Sequence, residues 1–160
     1  MEDHKPAAMI TFVIATVTAA TAGLGAVVSS QAVNIWYLAL DKPELTPPGY
    51  VFSIVWPILF VLMAMAAILV RIKAGSFAAC SAALGLYFTQ LALNLAWSWM
   101  FFGFQEVLLA MVILGVLWLL ILATMRAFSK FSTAATLLLV PYLIWVSFAG
   151  YLNGSILFLN

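Results

Sequence analysis

Charge is what this 160-residue chain has least of: six Lys and Arg, five Asp and Glu, and a single histidine, for a formal net charge of +1. No basic run is long enough to grip a nucleic-acid backbone, so a nucleic-acid partner is excluded. The one histidine, His4, stands in the N-terminal tail, and the one cysteine, Cys80, stands in an apolar stretch. A disulfide within the chain is impossible, and neither a metal centre nor a histidine-ligated haem has enough ligands. Cys80 reads as a small packing residue.

The few charges are spaced in an informative way. Between Lys5 and Asp41, Glu44 and Arg71, Lys73 and Glu106, Glu106 and Arg126, and beyond Lys130 lie 35, 26, 32, 19 and 30 uncharged residues. A membrane-spanning helix needs about 20. With 67% hydrophobic residues and a mean hydropathy of +1.20, the chain leaves no room for a soluble domain. The sequence predicts an all-α integral membrane protein, a single membrane domain over 1–160 with five transmembrane helices at about 7–28, 49–70, 76–102, 106–127 and 133–157. The first of these reads as a retained helix and not a cleaved signal, because Ala22-Gly23-Leu24 is a poor cleavage site.

Five spans put Lys5, Arg71, Lys73, Arg126 and Lys130 on one side and Lys42 alone on the other. The positive-inside rule then predicts a multi-pass protein of a bacterial cell membrane, with the N-terminus cytoplasmic. No carboxylate is expected at mid-membrane, since Glu106 falls in a turn, which argues against a proton-coupled pump.

The first connection, 29–48, is too long for a turn and too rich in Trp36, Tyr37, Leu38 and Leu40 for a solvated linker. A short helical turn around Asn34 to Leu40 would set Trp36 and Leu40 on one face, ahead of Pro43, Pro47 and Pro48. It reads either as a lid over the bundle mouth or as an interfacial aromatic anchor.

Inside the spans are amides and rings. Gln90, Asn94, Trp97 and Phe101 follow the spacing of one helical face, as do Phe52, Trp56 and Phe60 on the second helix. Tyr142, Trp145, Ala149, Leu152 and Asn153 share a face of the fifth, with Pro141 predicted to kink the helix before them. Such residues serve interhelical hydrogen bonding and packing. Their convergence on three helices is also the composition of a pocket for a large flat apolar ligand with a few polar atoms.

The ordered residues are more specific than the physics. Trp36-Tyr37-x-x-Leu40-x-Lys42-Pro43-x-x-x-Pro47-Pro48, then Val51-Phe52-x-x-Val55-Trp56-x-x-Leu59-Phe60, resembles the signature of the tryptophan-rich sensory protein family, TspO/MBR, also called the translocator protein or peripheral benzodiazepine receptor family. Gln90-Leu91-x-Leu93-Asn94-x-x-Trp97-Ser98-x-x-Phe101-Phe102-Gly103 and Pro141-Tyr142-Leu143-x-Trp145-x-x-Phe148-Ala149-x-x-Leu152-Asn153 resemble two further blocks of it. The resemblance implies a five-helix bundle, usually a homodimer in membrane lipid, that binds protoporphyrin or related tetrapyrroles and benzodiazepine- or isoquinoline-type ligands. A porphyrin would be a ligand and not a cofactor.

Carried over, the site is Trp36 in the lid, Phe52, Trp56 and Phe60, Asn94, and Trp145, Phe148, Ala149 and Leu152. Three functions follow from the resemblance: a receptor or sensor, a tetrapyrrole transporter, or a light-dependent porphyrin-degrading enzyme in which Trp56 and Trp145 take part. The family commonly has tryptophan where this chain has Leu45, and tyrosine where it has Phe60. Its animal sterol motif ends in a basic residue, and none follows Lys130. The weak sterol-type pattern Val33, Tyr37, Lys42 carries no weight. Ser81 with Gly85, or Ala19 with Gly23, would allow close helix approach in a dimer.

Overall fold

In hydrocarbon a chain must satisfy its backbone polar groups internally, and each uncharged run does so by becoming a helix. The computed structural model describes residues 4–33 and 36–160, and it is helical throughout, with no strand among the described residues. The helices are α1 (His4–Val33), α2 (Trp36–Ala39), α3 (Gly49–Ala74), α4 (Phe77–Ser98), α5 (Val107–Ser129), α6 (Thr133–Leu138) and α7 (Val140–Leu159), with a π-helical segment at Trp99–Gly103. Five stretches are long and apolar enough to cross a membrane: Ala8–Gln31, Gly49–Ala74, Phe77–Gly103, Val107–Ser129 and Thr133–Leu159.

The helices of the first two spans overrun their expected ends, and the fifth span keeps its bounds but not its continuity. The first helix runs on past residue 28 because Ser29 and Ser30 turn their hydroxyls back onto the carbonyls of Ala26 and Val27, at 3.1 and 2.9 Å. Polar residues that bond their own helix do not end it. The connection is correspondingly shorter, and Asn34 and Ile35, where its helical turn was expected to begin, lie outside the described residues.

The fifth span is two helices. Pro141 has no N–H to give and sits in the first turn of α7, where none is needed, and the chain breaks at Leu139. Before the break, α6 lies against α3; after it, α7 lies mainly against α5. Around the bundle α1 packs between α3 and α4, α4 against α5, and α5 against α6 and α7. The seam between α3 and α7 is therefore the loosest, held at the α6 end and parted above it. The kink predicted from Pro141 is what parts it.

The core lies along the inner faces of α3, α4, α5 and α7. Ile14, Met63, Ala66, Cys80, Tyr87, Leu117, Phe128 and Tyr142 are all fully buried. Thr18 and Tyr87 share a 2.7 Å hydrogen bond that ties α1 to α4. Cys80 fits its expected packing role, with Sγ directed at the Ser76 carbonyl at 3.5 Å.

Candidate functional site

Four residues make a poor helix by themselves, so α2 must be held from outside. The Lys42 ammonium donates to the carbonyls of Tyr37 at 2.8 Å and Leu40 at 2.7 Å, satisfying the end of α2, and lies 5.0 Å from the centre of the Tyr37 ring. Trp36 and Tyr37 meet the Phe101 ring edge-on at 5.6 and 6.3 Å, and Tyr37 also meets Phe102 at 5.9 Å. Burial raises the pKa of the Tyr37 phenol, which stays neutral.

Asn160 closes the clamp. Its carboxamide accepts from the Asp41 N–H and donates to the Asp41 carbonyl, both at 3.0 Å, as a neighbouring strand would. Losing two such bonds costs about 1 kcal/mol or more. Asn160→Ala is expected to speed amide exchange over 36–42 about fivefold, read by hydrogen–deuterium exchange; unchanged exchange would show that the clamp holds nothing.

Beneath the lid the rings form one connected cluster. Trp56 lies 5.8 Å from Phe60, 6.0 Å from Trp97 and 6.5 Å from Tyr142. Trp97 stacks on Phe101 at 6.0 Å, which joins the cluster to Trp36. Phe52 meets Trp145 edge-on at 5.6 Å across the loose seam. The π-helical segment places Phe101 and Phe102 here. Its backbone bonds step wide, Phe104 N–H to the Trp99 carbonyl at 2.8 Å, so that adjacent bulky rings both reach the lid.

Amides tie the floor. Asn94 donates to the Tyr142 hydroxyl at 3.0 Å, Trp97 Nε1 donates to Asn153 Oδ1 at 3.2 Å, and Asn153 Nδ2 donates to the Val107 carbonyl at 3.0 Å. The face predicted from spacing, Gln90, Asn94, Trp97 and Phe101, is buried as a unit. Gln90 alone finds no partner among the described residues for either amide atom.

Of the residues predicted for the site, Trp36, Trp56 and Phe60 belong to the connected cluster, Phe52 and Trp145 form a separate ring pair, and Asn94 bonds to Tyr142 of the cluster. Ala149 and Leu152 are buried on the same helix as Trp145, at 7% and 5% exposure. Phe148 stands apart, between Trp145 at 5.6 Å and the exposed Tyr151 at 6.2 Å, on the flank of α7. The sequence reading left Lys42 and Asn160 without a role and did not count Tyr37, Trp97 and Phe101 as site residues.

The cluster is filled by its own rings. An apolar groove of about 340 Å³ runs beside it along the α3–α7 seam, lined by Val55, Ile58, Leu59, Pro141, Ile144 and Trp145. Trp145 Nε1 is enclosed with no partner among the described residues. A second groove, of about 400 Å³, lies elsewhere, between α1 and the π-helical segment at Leu24, Val28, Gln31 and Trp99. Among the described residues no three His, Cys, Asp or Glu side chains converge on a point.

Comparison with known proteins gives the family. The model of the TspO/MBR family matches residues 12–159. The chain belongs to the TspO/MBR family. It is 43% identical over 136 residues to the tryptophan-rich protein TspO of Chlorobaculum tepidum, covering 85% of this chain and 86% of that one. It is 42% identical over 125 residues to the tryptophan-rich sensory protein of Cereibacter sphaeroides, covering 78% and 77%. It is 38% identical over 135 residues to the human translocator protein, covering 81% and 80%. Against the TspO/MBR pattern the two departures sit quietly. Leu45 is 68% exposed and away from the rings, while Phe60 is buried on Trp56, where a hydroxyl would need a partner.

Proposed function

We propose that this TspO/MBR protein is a membrane receptor or sensor that binds porphyrins, and benzodiazepine- or isoquinoline-type ligands, between the lid, α3, α4 and α7. The observation that carries the reading is the connected ring cluster from α2, the π-helical segment, α4, α3 and α7 under a clamped lid. Rings that pack edge-on and tilted against each other exchange those contacts for a tetrapyrrole face at little net cost. The α3–α7 groove offers a lateral way in from the bilayer, and the unpartnered Trp145 Nε1 offers a donor. Titration with protoporphyrin in detergent tests this: saturable quenching of tryptophan fluorescence supports it, and a linear, unsaturable response sinks it.

The same titration under illumination bears on degradation. New product bands that vanish in Trp56→Phe and Trp145→Phe, with binding kept, would make the protein an enzyme. Porphyrin flux into liposomes would make it a transporter, a reading that the name of the human relative favours. The receptor stands ahead because no described carboxylate lies within a span to couple transport to an ion. The end of the bundle bearing Arg71, Lys73, Arg126 and Lys130 is assigned to the cytoplasm, with the lid outside.

A homodimer through α4 belongs to this reading. Its outer face is a run of small exposed residues, Ala78, Ser81, Ala82, Gly85, Thr89 and Ala92, and α1 offers a comparable run in Ala15, Thr16, Ala19, Ala20, Gly23 and Ala26. A Cβ on Gly85 or Gly23 would meet nothing within 4 Å in the protomer, so either can be enlarged without disturbing the fold. Gly85→Ile is expected to give monomers by light scattering and Gly23→Ile to leave dimers; the reverse would move the interface to α1.

A further inference from the structure

We propose that Arg71 is the centre of a binding site for the phosphate headgroup of an anionic phospholipid, at the end of the bundle opposite the lid. Arg71 is on the last turn of α3 in the same inner register as Met63, Ala67 and Val70, and it is 7% exposed. An arginine there ordinarily spends its donors on the free carbonyls of the helix end or on a carboxylate. Arg71 does neither. It makes no hydrogen bond or ion pair with a described residue, and its Nε is fully enclosed without a partner.

The described residues around it supply no counter-charge. Lys73 is exposed on the same turn, Arg126 is exposed on the last turn of α5, and Lys130 is exposed just beyond it. The described carboxylates, Asp41, Glu44 and Glu106, are all at the lid end. Among the described residues this end therefore carries five Lys and Arg, with Lys5 at the start of α1, and no carboxylate. A buried charge without a partner is costly, so the fold is poised for an anion from outside.

The chemistry of the donors identifies it. A guanidinium presents a planar fork that fits two phosphate oxygens, and the neighbouring cations add attraction at longer range. Arg71 lies near the end of the Gly49–Ala74 span, which is the depth of headgroups and not of bulk water. Basic pockets between transmembrane helices take anionic headgroups in this manner. The lipid would neutralise Arg71 from the leaflet on that side, while the ring cluster serves its own ligand at the other.

The test is thermal unfolding of the full chain in neutral detergent, followed by tryptophan fluorescence, with phosphatidylglycerol, phosphatidylcholine or inorganic phosphate added. Phosphatidylglycerol at about a hundred times its Kd is expected to raise Tm by about 5 °C, and the other two to leave it unchanged. Arg71→Leu, which removes an unpaired buried charge, is expected to unfold no earlier than wild type without lipid and to lose the response. Arg71→Lys keeps the charge without the fork and is expected to keep less than half of the shift.

An equal shift with phosphatidylcholine would mean that any lipid suffices and would overturn the proposal. An equal shift with inorganic phosphate would make this a free-anion site and overturn the lipid. So would a full response in Arg71→Leu or Arg71→Lys, or none in wild type, as when Glu2 or Asp3 already neutralises Arg71. Should Arg71→Leu fail to fold, the wild-type and Arg71→Lys responses decide alone.

Discussion

Ala149→Leu is expected to weaken protoporphyrin binding at least tenfold while the bundle stays folded. Ala149 is one turn beyond Trp145 on α7, on the buried face that also holds Tyr142, Leu152 and Asn153. Leucine adds three carbons to a face with 7% exposure, so they must go toward the ring cluster or push α7 outward. Overpacking of this kind costs about 1–3 kcal/mol, and a bound ligand that needs the same space loses a comparable amount. Each 1.4 kcal/mol is tenfold in affinity. The check is quenching of tryptophan fluorescence, with Tm recorded on the same sample. Wild-type affinity in a folded Ala149→Leu would move the ligand away from α7.

Asn153→Leu is expected to produce the largest loss of stability, a fall in Tm of about 10 °C. Asn153 is 1% exposed and joins three helices, accepting from Trp97 Nε1 on α4 and donating to the Val107 carbonyl on α5. Leucine has nearly the same volume, so the change is chemical. It leaves the Trp97 indole N–H with no partner in an apolar interior and strips a second donor from the Val107 carbonyl, which keeps its bond within α5. The orphaned indole costs about 1–3 kcal/mol and the lost second bond to the carbonyl about 1 kcal/mol, together about 2–4 kcal/mol, and each kcal/mol is worth about 2–4 °C in a chain of this size. Interhelical bonds in membranes can also be worth only about 0.6 kcal/mol each. A fall of 2 °C would place this tie in that weaker class and make Asn153 dispensable for the fold.

Much of this was legible in the chain because a membrane simplifies the code. Spacing between charges gives five spans without reference to any partner, and helical periodicity alone places Gln90, Asn94, Trp97 and Phe101 on one buried face. What periodicity cannot give is who sits opposite. Asn94 meets Tyr142 and Trp97 meets Asn153 because of the order in which the helices surround the core, and no local pattern encodes that order. Asn160 is 119 positions from Asp41, and its clamp exists only once α7 has been brought to the mouth of the bundle.

Local chemistry also hid some detail. Ser29 and Ser30 look like the end of a helix and instead bond within it, and Trp99–Gly103 reads as ordinary helix although its bonds step to a wider turn. Lys42 looks like a solvated charge in a loop, yet it is the cap that makes a four-residue helix possible. Pro141 was readable in position and not in consequence. Its break sends α6 toward α3 and α7 toward α5, and that parting is what leaves an apolar groove beside Trp145.

One measurement bears on the ring cluster before any other: competition between protoporphyrin and an isoquinoline carboxamide for the wild-type protein, followed by recovery of quenched tryptophan fluorescence. A single shared site under the lid predicts complete recovery along a saturating curve, shifted to higher competitor as protoporphyrin is raised. Quenching that the competitor never reverses, at concentrations where it demonstrably binds, would mean that the two ligands do not share the space between the lid, α3, α4 and α7.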